Sequence, residues 1–331
     1  MDKEFLIVGH GLTGCVLALT FYKRNIPFRI LGQYQPGEAS LVSSGLITPV
    51  TGRKYVKSWM IDEFLESAIE FYTWTEKLFG QQFFFPVEII RFLSHPEALL
   101  AWEKRTNDEE YAKYVSIKRL ESLDRMDRPY GILTGAYRLD AFAWMNAARS
   151  FLEEKGLLDY GEATLSKEDD DEKLITIFAT GAIGELQSKG IIPNKGEALV
   201  VRMPEWQYPA IVKVEVFFIP LREEHLYWVG SYYEPWPSDP GPSVEGKQQL
   251  MKAIREIYNG PLVIVDHLSG VRATVDDRRP LVGRISGNEK KYMFNGMGTK
   301  GTSLAPYWAD RLTDHLYDGH ILPGIVDPAR Y

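Results

Sequence analysis

The 331-residue chain predicts an α/β fold assembled from interleaved segments. Three observations predict it. The first thirty residues read as strand, glycine turn, helix and strand. A buried strand running into small residues recurs near the middle and the end of the chain. Between these stretches, residues 82–137 and 198–233 carry alternating apolar and aromatic runs, the texture of antiparallel strands with short helices.

Phe5-Leu6-Ile7-Val8 is an unbroken apolar run, as in a strand buried on both faces. It enters Gly9-His10-Gly11-Leu12-Thr13-Gly14, a G-x-G-x-x-G, followed by apolar residues at 12, 15, 16, 19 and 22, one helix face. Asn25 and Pro27 stop that helix, and 28–31 reads as a second strand. In such a unit the first glycine permits a tight turn and the second lets dinucleotide phosphates approach the backbone. The third lets helix and strand pack closely, and the helix start offers free N–H groups to the anion. An acidic residue is expected about 20 residues on, to hold the adenosine ribose. It is missing, because the strand ends in Leu31-Gly32-Gln33.

Residues 35–40 and 43–49 form a small, hydroxylated loop, either a close approach to a ligand or a surface turn. Arg53, Lys54 and Lys57 then cluster, as an anion site or a solvated face. A long helix follows, with Ile61, Phe64, Leu65, Ala68, Phe71 and Tyr72 as its buried stripe and Gly80 as its C-terminal cap. Ser94-His95-Pro96-Glu97 has the form of a capping box. Asp140 is expected to cap a helix ending at Gly156, with Phe142, Met145 and Leu152 on one side. The acidic run 168–172 predicts a solvated loop, and 174–178 a buried strand opening into Ala179-Thr180-Gly181-Ala182. Runs 211–219 and 226–233 read as two antiparallel strands, their Phe217, Phe218, Tyr232 and Tyr233 forming pocket wall or core. A helix near 244–258 and strands at 262–265 and 292–295 come next. The last strand opens into a final helix, with Thr302 and Ser303 as candidate caps and Pro306 in its first turn.

Bulk properties narrow the function. A net charge of −7 argues against a broad nucleic-acid footprint, which needs a basic face. No apolar run reaches the length of a membrane span, and the first strand leaves no room for a signal peptide. The lone Cys15 reads as a packing residue and builds no disulfide framework, so a cytoplasmic protein is expected. The six histidines lack metal-ligand spacing, so no metal is expected. There is no G-x-S-x-G elbow for a serine hydrolase. Gly298-Thr299-Lys300-Gly301-Thr302 fails as a phosphate-binding P-loop, because its lysine precedes the second glycine.

Four stretches, in order, resemble the FAD-dependent oxidoreductases typified by D-amino-acid oxidase, glycine oxidase and sarcosine oxidase. They are Gly9 to Gly14, Ala39-Ser40 with Gly45, Ala179 to Ala182, and a C-terminal set. That set comprises Gly270-Val271-Arg272-Ala273-Thr274, Asp277 to Gly283 and Gly296 to Pro306. The resemblance implies a Rossmann-type FAD-binding domain (1–81, 138–197 and 262–331) interleaved with a mainly antiparallel α+β substrate domain (82–137 and 198–261). It implies that Gly9, Gly11, Leu12, Thr13 and Gly14 hold the pyrophosphate, with Gly32 and Gln33 at the ribose. Ala39, Ser40, Ser44, Gly45 and Leu46 would line the middle of the cofactor and the flavin. Gly181 and Ala182 would approach from the second strand end, and Gly298, Thr299, Lys300, Gly301 and Thr302 would meet the flavin ring. FAD would be non-covalent, since the C-terminal region lacks the cysteine that some sarcosine oxidases use.

Physics independently favours a helix start beside the flavin, where it supplies positive charge to the reduced ring without a titratable group. Lys300 either adds a full charge there or is an exposed loop lysine. No other catalytic side chain is assigned. By resemblance Arg272 binds a substrate carboxylate, which a guanidinium fork suits; otherwise it pairs with Asp276 or Asp277. The expected activity is oxidation of the C–N bond of a small amino acid or secondary amine bearing a carboxylate. The alternatives are a tRNA-modification oxidase acting on an aminomethyl-uridine, a flavin-binding protein without turnover and a nicotinamide-dependent dehydrogenase. Gly32 stands where the family usually has a glutamate, so Gly32→Glu is expected to tighten FAD retention.

Overall fold

A computed structural model describes residues 4–34, 37–116, 129–161, 173–182, 190–206, 208 and 210–331. The acidic run 168–172 lies outside them. After the exposed Glu4, strand Glu4–Val8 is apolar and buried because it is central in its sheet: Leu174–Phe178 and Phe28–Gly32 flank it, both parallel. The six-stranded order is Leu281–Arg284, Lys291–Asn295, Leu174–Phe178, Glu4–Val8, Phe28–Gly32 and Leu158–Tyr160, antiparallel only at the first pair. A parallel sheet must be covered by its crossovers. Helix Leu12–Lys23 is buried around almost its whole circumference rather than along one stripe, because Ala141–Glu154 and Gly301–Asp318 pack onto its outer side.

The second sheet has nine strands. Its main path runs Val263–Thr274, Ile192–Arg202, Leu226–Pro235, Phe217–Pro220, Ile211–Lys213, Phe84–Phe92, Tyr130–Leu139 and Leu46–Ile47, with Val115–Ser116 also paired to Tyr130–Leu139. The run 211–219 is therefore a hairpin of two strands, the first of which pairs parallel with Phe84–Phe92. Ile192–Arg202 and Val263–Thr274 cross this sheet side by side, and Leu46–Ile47 extends its other edge. Each segment expected in the dinucleotide unit thus gives a strand to the antiparallel layer. Cross-strand pairing continues past the positions where sequence texture changes.

Local chemistry sets the helix ends. Gly80, at φ 67°, ends Ile61–Phe79 and donates its N–H to the Glu76 carbonyl. The Asp140 side chain accepts from Ala143 N–H and starts Ala141–Glu154. That cap turns Trp144, Met145, Ala148 and Leu152 inward and leaves Phe142 58% exposed, contrary to the expected face. At Pro96–Thr106 the N-terminal residue is His95 and no side chain caps it, so the expected capping box does not form.

Gly301–Asp318 begins after a 3-10 turn, Gly298–Lys300, and carries no side-chain cap. Thr302 and Ser303 lie inside it, and Ser303 Oγ donates to the Lys300 carbonyl. Pro306 therefore falls in the second turn, not the first. Lacking an N–H, it leaves the carbonyl four residues back without its helical donor. Buried Tyr72 supplies one instead, its hydroxyl donating to Thr302 O at 3.0 Å. This bond ties Ile61–Phe79 to the start of the last helix. Tyr72→Phe is expected to leave that carbonyl unpaired and cost about 1–3 kcal/mol, read as a lowered unfolding midpoint in urea.

Candidate active site

A cavity of about 2090 Å³ lies between the two sheets, at the C-terminal ends of Glu4–Val8 and Leu174–Phe178. Gly9, Gly11, Leu12, Thr13, Gln33, Ala39, Ser40, Ser44, Leu46, Gly181 and Ala182 line it. So do Gly298, Thr299, Lys300, Gly301, Thr302 and, from the antiparallel sheet, Arg272. Gly14, Gly32 and Gly45 are not on its wall. A Cβ at Gly14 would sit 1.9 Å from the Gly9 carbonyl oxygen, and one at Gly45 would sit 1.9 Å from that of Leu139. Both are packing glycines. Gly9, at φ 108°, leaves no room either, with Ala179 O 2.5 Å from its would-be Cβ. Gly11 differs: its Cβ would meet only Ser40 Oγ, at 3.5 Å, so this backbone is open to the cavity. Ser40 Oγ accepts from Leu12 N–H at 3.1 Å, which leaves its own proton for a ligand.

The missing acid is explained by His10. A Cβ on Gly32 would lie 2.8 Å from the His10 ring, which fills that space together with Tyr34 and Tyr160. The ring is 1% exposed, and its Nε2 has no hydrogen-bond partner. Burial, and then the Arg149 charge, lower its pKa to about 4. Arg149 is itself buried and donates twice to the His10 carbonyl, at 3.1 and 3.0 Å, and to Glu38 Oε1 at 2.8 Å. Glu38 brings to the cavity wall a carboxylate that the strand end lacks. Sequence reasoning missed His10, Glu38 and Arg149. Arg149 carried a signal: it falls on the buried stripe 145, 148, 149, 152, where a charge must be paired.

Arg272 rises from Val263–Thr274 and lies across Gly196, whose Cβ would come within 1.2 Å of Nη2. Its guanidinium carbon is 4.6 Å from the Tyr233 ring centre. Asp277 pairs with Arg330 at 3.1 Å, and among the described residues no carboxylate pairs with Arg272. Its Nη1 is buried without a partner, and burial lowers its pKa against the opposing influence of Tyr233. Alternation divides the aromatics: Phe217 and Tyr233 reach the cavity, whereas Phe218 is in the core and Tyr232 packs beside it.

Lys300 lines the cavity and donates to Ser58 Oγ at 3.0 Å; desolvation, then Arg278 and Arg279, lower its pKa. Lys57 turns into Asp62 at 2.9 Å, while Arg53 and Lys54 stand on the cavity wall. Among the described residues no group of three His, Cys, Asp or Glu side chains is placed to hold a metal, and no helix is long and apolar enough to cross a membrane.

An open glycine backbone at one helix start, a second helix start across the cavity and an unpartnered guanidinium donor on its wall fit a dinucleotide-binding protein of the α/β class. The family profile described as FAD dependent oxidoreductase matches residues 4–315. The chain belongs to that family. Its fold is similar to glycine oxidase from Geobacillus kaustophilus (TM-score 0.81, 16% identity, 100% of both chains covered). It is similar also to iminodiacetate oxidase from Chelativorans sp. BNC1 (0.77, 19%, 96% of this chain and 97% of that one) and to L-proline dehydrogenase from P. horikoshii (0.68, 16%, 99% and 97%). The cavity fits FAD: Gly11 and Ser40 suit its phosphates, and the start of Gly301–Asp318 suits an electron-rich ring edge.

Two outcomes follow from the His10 network. Gly32→Glu is expected to force the His10 ring from its place at about 1–3 kcal/mol and to weaken flavin retention, the reverse of the sequence expectation; equilibrium dialysis of FAD reads this. His10 is neutral when folded, so below pH 6.5 the unfolded chain takes up a proton that the folded chain refuses until about pH 4. Stability is therefore level above that window and falls through it as pH drops, by about 3 kcal/mol in all. Urea titrations of His10→Asn are expected to lack this fall.

Proposed function

We propose that the protein oxidises the C–N bond of a small amino acid or secondary amine bearing a carboxylate, with FAD bound non-covalently. The observation that carries this reading is Arg272: a buried guanidinium on the cavity wall with a free Nη1 and, among the described residues, no carboxylate partner. A buried cation left in that state is stabilised by a ligand anion, and its planar fork matches a carboxylate. Glycine, iminodiacetate and L-proline, the compounds in the names of the similar structures, are each an amine bearing a carboxylate, which points the same way.

In this proposal the parallel-sheet unit holds the cofactor and the antiparallel sheet holds the substrate. Gly9, Gly11, Leu12, Thr13 and Ser40 hold the phosphates, and Gln33 and Glu38 take the ribose side. Gly181, Ala182 and Gly298 to Thr302 bound the flavin end. Bound there, FAD supplies the two-electron acceptor that no side chain of this chain offers. Arg272 fixes the carboxylate and so orients the neighbouring α-carbon, while Tyr233 and Phe217 exclude water from that end of the cavity. An amine that arrives neutral needs no side-chain base. Lys300 and the last helix start put positive potential where negative charge accumulates. A cytoplasmic setting belongs to the same proposal, since buried Cys15 forms no disulfide and needs no oxidising compartment.

Anaerobic mixing of the yellow holoenzyme with glycine, sarcosine, proline and D- and L-amino acids tests the reading by loss of flavin absorbance. Arg272→Ala is expected to retain flavin and to lower kcat/KM about 100-fold with the best substrate, the loss of two charge-assisted bonds. Unchanged flavin reduction in that variant would refute the assignment.

A further inference from the structure

Besides Arg272, the cavity wall carries a cationic pair that amine oxidation does not use. Lys213 and Arg91 are register partners on neighbouring parallel strands, and both line the cavity. Like charges facing each other across strands are destabilising unless something neutralises them. Among the described residues no carboxylate pairs with either. Arg91 Nη2 donates to the Gly52 carbonyl at 3.2 Å, and its guanidinium lies 4.7 Å from the Tyr55 ring centre. Lys213 Nζ sits 4.3 Å from the Phe217 ring centre and donates to the Glu215 backbone carbonyl. Rings and carbonyls orient a cation without cancelling its charge. Of the glutamates that line the cavity, Glu38 pairs with Arg149 and Glu197 with Lys195, while Glu97, Glu215 and Glu256 form no ion pair with Arg91 or Lys213. Burial, then the Arg91 charge, pull the Lys213 pKa down to about 8 in spite of Glu215.

Position in the sheet relates this pair to Arg272. The Arg272 guanidinium lies over Gly196, and three strand-to-strand steps lead from Ile192–Arg202 to Ile211–Lys213. Three steps of about 4.8 Å give about 14 Å across the strands, and Lys213, in line through Phe217 and Gly230 with Ala198, lies two residues, about 7 Å, further along, so about 16 Å of sheet separates the two cationic points. The cavity is continuous between them, and Phe217 and Trp228 are on the intervening wall. We infer that the substrate is elongated, an amine whose α-carboxylate meets Arg272 and whose far end carries a second anion, carboxylate or phosphate, held by Arg91 and Lys213. This inference rests on the reading of Arg272 as the carboxylate anchor.

Titration of the oxidised holoenzyme with N-alkylglycines whose arms end in a carboxylate, a phosphonate or a neutral amide tests it. Flavin absorbance shifts give affinity, and anaerobic bleaching gives reduction. With arms of about 16 Å, a terminal anion is expected to bind roughly tenfold tighter than the amide, the effect of one charge-assisted contact. The stronger of the two anions identifies the natural end group. In Lys213→Met the preference is expected to collapse, and in Arg91→Lys to persist; the wild-type comparison decides even if a variant fails to fold. Equal affinity for anion and amide overturns the inference, and bleaching by the amide would then leave amine oxidation standing. Bleaching by none of them, with a Lys213-dependent anion preference intact, keeps the second site and removes the amine reading. Binding of a tRNA stem-loop that weakens steeply with salt and is lost in Lys213→Met, with no anion preference among the N-alkylglycines, assigns the pair to a phosphate backbone and overturns the small-molecule inference.

Discussion

The structure depends on a backbone contact that leaves no space for a side chain. Gly14 is pressed onto the Gly9 carbonyl, and Gly9 onto the Ala179 carbonyl, so the first helix, the first strand and the end of Leu174–Phe178 meet almost atom to atom. That closeness brings the start of Leu12–Lys23 to the cavity with its N–H groups forward. One methyl group at either position would push the helix away from the strand ends.

Around this contact the protein holds its binding turn from outside. Arg149 reaches in from Ala141–Glu154 and takes the His10 carbonyl with two donors, while Glu38 balances its charge. The arrangement is stable because Arg149 is buried beside a half-buried carboxylate; without Glu38 it would be a desolvated charge. The same network fixes His10 beside Gly32, so the chain exchanges the usual strand-end acid for an aromatic packing cluster with Glu38 on the cavity wall. On the far side, Tyr72 compensates the donor that Pro306 removes, which holds the last helix start in place. Both ends of the cavity are thus set by side chains of helices beyond the dinucleotide unit.

The antiparallel sheet forms the opposing wall, and strand alternation decides what it offers. Phe217 and Tyr233 face the cavity while Phe218 fills the core and Tyr232 packs against it. Gly196 clears the space that the Arg272 guanidinium occupies. The wall is cationic at two points, Arg272 and the Arg91–Lys213 pair, and aromatic between them.

Much of this was legible in the sequence because the signals were local. The strand-glycine-helix opening, the Gly80 and Asp140 caps and the final glycine-rich helix start each depend on a few neighbouring residues, whose backbone chemistry admits few alternatives. What the sequence could not determine was pairing at a distance. Only the tertiary structure joins 192–202 to 263–274 across one sheet, sets Lys213 beside Arg91, and puts His10 into the space at Gly32. These are contacts between residues far apart in the chain, chosen by sheet register and by which buried charge finds a partner, and neither periodicity nor motif spacing records them.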